Sequence, residues 1–110
     1  MRFDSLLDSV GGTPLVRLNK VVGSDAAAVL VKCEYMNPTG SIKDRMAYHI
    51  LKSAIEAGEL KPGGRIIEAT SGNTGISFCA IGRALGHPVT IFMPDWMSAE
   101  RIAIIRSFGA

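Results

Sequence analysis

Aromatic side chains are scarce in this chain: one Trp, two Tyr and four Phe among 110 residues, or 6%. A base-stacking platform for single-stranded nucleic acid needs more of them. Charge of one sign is equally thin. Lys plus Arg is 12, Asp plus Glu is 10, and the net charge of +2 is gathered into no basic run, which argues against nucleic acid as a partner. No stretch of about 18 apolar residues is present, so a helical membrane span is excluded. Met1-Arg2-Phe3-Asp4-Ser5-Leu6-Leu7-Asp8 has two acids where a signal peptide needs an apolar run, and a cytoplasmic protein is expected. Two cysteines, Cys33 and Cys79, and two histidines, His49 and His87, stand apart, with no C-x-x-C and no ligand cluster. No metal is expected, the thiols are expected to be reduced and buried, and the histidines structural.

What is present is the composition of a packed domain. Hydrophobic residues make up 47% and charged residues 20%. The length fits one domain or a piece of a larger one. Short apolar runs read as strands: Ala28 to Cys33, Arg65 to Ala69, Val89 to Met93, and a weaker, possible edge strand at Leu15 to Leu18. Between them the pattern is helical. Ile42 to Ala57 repeats apolar residues at a period near 3.6, with Ser41 as its cap, Asp44 three residues on, and Gly58 as its stop. Ile76 to Leu85 is apolar all round and ends at Gly86. Ala99 to Phe108 has Ser98 as cap, Gly109 as stop, and Ile102, Ile105 and Phe108 as its buried stripe. Lys61-Pro62-Gly63-Gly64 is a turn.

The order β-α-β-α-β-α implies an α/β fold with a parallel sheet and right-handed crossovers. After the last helix a further strand is due. The expectation is therefore the N-terminal part of something longer, with a complete small domain as the runner-up.

Two glycine-bearing loops stand at strand-to-helix junctions. In Asn37-Pro38-Thr39-Gly40-Ser41-Ile42-Lys43-Asp44-Arg45, Lys43 sits in the first turn of a helix, where the partial positive charge disfavours a second cation. A lysine there has more neutral amine available as a nucleophile, able to form a Schiff base with an aldehyde such as pyridoxal phosphate. The alternative is a solvated lysine paired to Asp44, with Asp44 and Arg45 as a cap and a surface ion pair. The second loop, Thr70-Ser71-Gly72-Asn73-Thr74-Gly75, follows a strand and opens a helix. Its hydroxyls, amide and free N–H groups suit a carboxylate or phosphate. Its spacing is neither G-x-G-x-x-G nor G-x-x-x-x-G-K-[ST], which disfavours a nucleotide-binding module.

These two segments, with Gly12-Thr13-Pro14-Leu15-Val16-Arg17-Leu18 before them and Met93-Pro94-Asp95-Trp96-Met97-Ser98-Ala99-Glu100-Arg101 through Phe108-Gly109-Ala110 after them, cover nearly the whole chain in one order. Together they resemble the cysteine synthase (O-acetylserine sulfhydrylase) and cystathionine β-synthase family of fold type II pyridoxal-phosphate enzymes, related to tryptophan synthase β. The resemblance implies a three-layer αβα, Rossmann-like parallel sheet. Residues 1–40 would belong mainly to the larger domain of the parent fold, and residues 41–110 to the smaller, mobile one, incomplete at its C-terminal end. Lys43 would be the Schiff-base lysine and the base that takes the Cα proton. Asn73 would bond the 3′-oxygen of the cofactor ring. Thr70, Ser71, Gly72, Asn73 and Thr74 would bind the α-carboxylate of a small amino-acid substrate.

The implied reaction is β-replacement on an activated serine, making L-cysteine from O-acetylserine and sulfide. Cystathionine β-synthase or 2,3-diaminopropionate synthase chemistry is the alternative within the class. The family's phosphate-binding loop lies further downstream, so this piece is expected to bind cofactor poorly and to be inactive alone. The full-length parent is expected to be a homodimer. A non-catalytic remnant or binding module is the alternative from another class.

Overall fold

The computed structural model describes residues 2–110. Among them are two small sheets, three α-helices and two short 3-10 turns, Leu6–Ser9 and Glu34–Met36. β1 (Leu15–Arg17) and β2 (Leu30–Lys32) pair antiparallel, with Val16 opposite Val31. β3 (Ile66–Ala69) and β4 (Val89–Phe92) pair in parallel, with Ile66 opposite Val89 and Ala69 opposite Phe92. The helices are α1 (Lys43–Glu56), α2 (Asn73–Ala84) and α3 (Ala99–Ser107). The α/β class is borne out, and only β3 and β4 form the parallel arrangement. The strand expected over Ala28 to Cys33 pairs instead with β1 in a separate two-stranded sheet. A run of apolar residues marks a strand without naming its partner, which is why sequence order alone misplaced it.

The core lies between α1, α2, α3 and one face of β3–β4. Ala47 and Leu51 of α1, Ile76, Phe78, Cys79 and Ile81 of α2, Ile66, Val89 and Ile105 are its buried members. Residues alternate across each strand. Ile66 and Val89 face the helices, while Ile67 and Phe92 on the opposite face are 63% and 61% exposed. The described residues therefore form two layers, and the opposite face of the sheet has no helix on it. The expected stripe of α3 is seen, with Ile105 buried and Ile102 and Phe108 half-buried. On α1 the covered residues are Ala47 and Leu51, with Met46 and Ala54 half-covered, whereas Ile42 and Ile50 point outward.

Helix ends follow the glycine signals. Gly58, Gly86 and Gly109 take left-handed φ of 72°, 85° and 82° just past α1, α2 and α3. Ser98 caps α3 by accepting from Arg101 N at 3.4 Å. The start of α2 lies three residues before the expected Ile76. Asn, Thr and Gly are weak helix formers, but here Asn73-Thr74-Gly75 make the first turn. Gly75 fits because a Cβ there would stand 2.7 Å from Thr70 Cγ2, so only a glycine lets this turn close on the loop. The two cysteines are buried, and burial pushes the Cys79 thiol up to about 11. His87 is buried as well, its Nδ1 2.9 Å from the Gly64 carbonyl oxygen.

Candidate active site

Both predicted loops arrive at one end of the molecule. Asp44 near the start of α1 meets Ser77 near the start of α2, and Leu51 further along α1 lies beside Gly82 further along α2. The helices therefore run side by side in the same direction, with their N-termini at the same end. That end is also the C-terminal edge of the parallel pair, because Thr70 follows β3 and donates its N–H to Phe92 O at the end of β4. Open α/β sheets bind ligands at this edge. An open hollow of about 540 Å³ lies there, lined by Ala69, Thr70, Ser71, Phe92, Met93 and Pro94.

The lysine loop is a tight turn. Gly40 N–H donates to Asn37 O at 2.8 Å and Gly40 takes φ of 85°, a backbone shape that favours glycine. Ser41 Oγ accepts from Lys43 N at 3.2 Å, one bond of the expected cap. The other half is not formed, because Asp44 turns inward. Lys43 itself is exposed, and its side chain makes no ion pair or hydrogen bond among the described residues. The pairing of Lys43 with Asp44 is thus not adopted.

Arg45 pairs with Glu34 rather than with Asp44. Its Nε and Nη2 hold the two Glu34 carboxylate oxygens at 2.7 and 2.8 Å, and Nη2 also donates to Gly11 O at 2.8 Å. Thr13 Oγ1 and Asn37 Nδ2 donate to the same carboxylate at 2.8 and 2.9 Å, and Asn37 Oδ1 accepts from Gly11 N. This knot ties the N-terminal segment and the lysine loop to α1. Arg45, with Thr13 and Asn37, holds the Glu34 carboxyl down from 4.5 to about 2. A depressed carboxyl stabilises the fold fully above its unfolded value and loses that contribution as pH falls through its folded value. The melting-temperature gap between the wild-type chain and Glu34→Gln is therefore expected to be widest near neutral pH and to close between about 4.5 and about 2. A gap independent of pH across that range would mean that the ion pair does not hold in solution.

The second loop is rich in unused donors. No hydrogen bond among the described residues uses the N–H groups of Ser71, Asn73 or Thr74, or the side chains of Ser71, Asn73 and Thr74. Gly72 at the cap position of α2 offers no side chain of its own to them. Four or so N–H groups are left over at any helix start, and an anion is a ready partner for them. Thr70 is occupied locally: its Oγ1 accepts from Gly72 N at 3.2 Å. Arg101 of α3 reaches across, Nη1 donating to Ser71 O at 2.5 Å, and brings a positive charge beside the loop.

Sequence reasoning named the two loops and missed what supports them. Arg101, Glu34, Thr13 and Ser77 had no assigned role. Ser77 left a signal, since a hydroxyl in an otherwise apolar helix must find a partner when buried.

The model of the pyridoxal-phosphate dependent enzyme family matches residues 6–110. The chain belongs to this family. A probable cysteine synthase of Bacillus subtilis (strain 168) is 48% identical over 103 residues, which are 94% of this chain and 33% of that protein. The crystal structure of a cysteine synthase from Entamoeba histolytica superposes with a TM-score of 0.92 at 46% identity, covering 100% of this chain and 34% of the other. A hydrogen sulfide-producing enzyme from Fusobacterium nucleatum matches at 56% identity and a TM-score of 0.84, over 96% of this chain and 31% of its own. The chain spans about a third of the length of the relatives it matches. The resemblance read from the sequence is borne out, and pyridoxal phosphate is the cofactor of the family to which the chain belongs.

Proposed function

We propose that this chain supplies the reactive lysine and the carboxylate-binding loop of a cysteine synthase, which replaces the acetate of O-acetylserine with sulfide. The observation that carries the reading is that the start of α1, which bears the exposed and unpaired Lys43, adjoins the start of α2, with its unused N–H donors, through the Asp44–Ser77 bond. These groups fit pyridoxal phosphate and its substrate by chemistry: an amine for the aldehyde, an amide for a ring oxygen, and N–H and hydroxyl groups for a carboxylate. When bound, the cofactor supplies a ring that takes up the charge left at Cα.

The chain's own residues then do the following. Lys43 would hold the cofactor through its aldehyde carbon and would serve as the base for the Cα proton. Asn73 donates its amide to the ring oxygen. Thr70, Ser71, Gly72, Asn73 and Thr74 hold the substrate carboxylate through side chains and N–H groups, which orients Cα–H toward Lys43. With the cofactor taking up that charge, acetate would be able to leave Cβ with its bonding pair and hydrosulfide to take its place, and Lys43 would return the proton to Cα.

Residues 1–40 belong mainly to the larger domain of the parent fold and residues 41–110 form most of the smaller one, a reading that the two separate sheets support. The parent is a cytoplasmic homodimer, and the 110 residues alone do not turn over. No helix among the described residues is long and apolar enough to cross a membrane. A second reading, sulfide production, is favoured by the 56% identical relative named for it.

The test is a chimera in which residues 1–110 replace the matching part of the Bacillus subtilis relative. Cysteine formed from O-acetylserine and sulfide is the expected product. Product only from serine with homocysteine would replace the reading by cystathionine β-synthase chemistry. Sulfide released from L-cysteine, with none consumed, would favour the second reading.

A further inference from the structure

Asp44 is a carboxylate with no exposed surface, and no cation among the described residues pairs with it. It is 0% exposed, and its two sequence neighbours, Lys43 and Arg45, both leave it alone: Lys43 is unpaired and Arg45 is taken by Glu34, Gly11 and Thr13. Its partners are neutral donors. Thr39 N–H donates to Oδ2 at 2.7 Å, Thr39 Oγ1 donates to Oδ1 at 2.5 Å, and Ser77 Oγ donates to Oδ1 at 2.6 Å. The two hydroxyls lie 3.2 Å from each other. Burying a carboxylate without a counter-charge is costly, and an apolar residue of similar volume often stabilises such a place better. What the carboxylate adds is geometry.

These three bonds join three segments. Thr39 is in the turn before Lys43, Asp44 is in the first turn of α1, and Ser77 is one helical turn past Asn73. Successive helical side chains diverge by about 100°, so fixing Asp44 inward aims Lys43 at the outer edge. The same three bonds set α1 against the start of α2. We propose that Asp44 is a positioning residue: clamped by Thr39 and Ser77, it fixes the direction of Lys43 relative to the Thr70–Thr74 loop. The inference rests on the reading of Lys43 as the reactive lysine.

The experiment treats the chimera with pyridoxal phosphate, reduces it with borohydride, and measures labelling at Lys43 against the other lysines of residues 1–110, Lys20, Lys32, Lys52 and Lys61, by peptide mass spectrometry. Four variants are compared with the wild type: Asp44→Asn, Ser77→Ala, Thr39→Val and Thr39→Ser. Circular dichroism reports whether each is folded. The expected result is a wild-type preference for Lys43 that falls by about tenfold in Asp44→Asn and Thr39→Val, the size set by losing a hydrogen bond to a charged group. Thr39→Ser, which keeps the hydroxyl, restores the preference. A merely structural Asp44 would lower the melting temperature and leave the preference of the folded variants untouched. That outcome, or equal loss in Thr39→Ser and Thr39→Val, overturns the proposal. If Asp44→Asn does not fold, the Thr39 pair and Ser77→Ala decide the matter. Even labelling of all five lysines in the wild type would instead remove the reading of Lys43 itself, and the positioning role with it.

Discussion

Lys43→Ala in the chimera is expected to lower cysteine formation by about 10³-fold or more, because one side chain carries two tasks. It holds the cofactor's carbon, and it moves the Cα proton both ways. Lys43→Arg is expected to fail as badly, since a guanidinium stays protonated and cannot act as an amine nucleophile. Stability without cofactor should hardly change. The Lys43 side chain is exposed and makes no contact that its loss would leave unsatisfied, so the effect on folding should stay within about 0.5 kcal/mol. That split separates the proposed role from a structural one. Rate measurement with O-acetylserine and sulfide, beside a thermal melt of each variant, checks it. If Lys43→Ala kept a tenth of the activity, some other amine would have to be the reactive group.

The fold class and the two loops were legible in the sequence, and the strand pairing and the polar supports were not. The two glycine loops were readable because glycine, hydroxyl and amide residues crowd into short windows at helix starts, whereas the role of Asn73 came only with the family resemblance. The glycine stops were readable because a left-handed φ at Gly58, Gly86 and Gly109 has few other occupants. Pairing was not readable. β2 carries the same apolar signature whether it joins β3 or β1, and only the tertiary fold decides. The polar supports were hidden for a related reason. Asp44 and Arg45 look alike as neighbours on a helix, yet about 100° of rotation turns one into the core and the other toward Glu34. A capping pattern at Ser41 and Asp44 offered a local use for the carboxylate, and the longer-range partner Ser77, 33 residues away, took it instead.

Gly82→Val is expected to destabilise the chain by about 3 kcal/mol, and Gly82→Ala by about 1 kcal/mol, although helix propensity alone predicts a gain of about 1 kcal/mol for the alanine. The reason is how closely α2 lies on the sheet. A Cβ at Gly82 would stand 2.7 Å from Ile66 Cδ1 and 2.8 Å from Val89 Cγ2. Ile66 Cδ1 is the tip of a flexible side chain and can swing aside. Val89 cannot do so cheaply, because its β-branched side chain has one favoured rotamer and it is 3% exposed. Ile66 and Val89 are also opposite one another in the parallel pair, so both contacts push on the same point of the sheet. Relief requires α2 to lift, and lifting α2 pulls Ser77 from Asp44 at the other end of the same helix. A substitution far from Lys43 should therefore weaken the Lys43 preference as well as the fold. Denaturant titration of the two variants, with lysine mapping on Gly82→Ala, measures both effects. A stabilised Gly82→Ala would mean that α2 rides higher on β3 and β4 than the contacts at Ile66 and Val89 require.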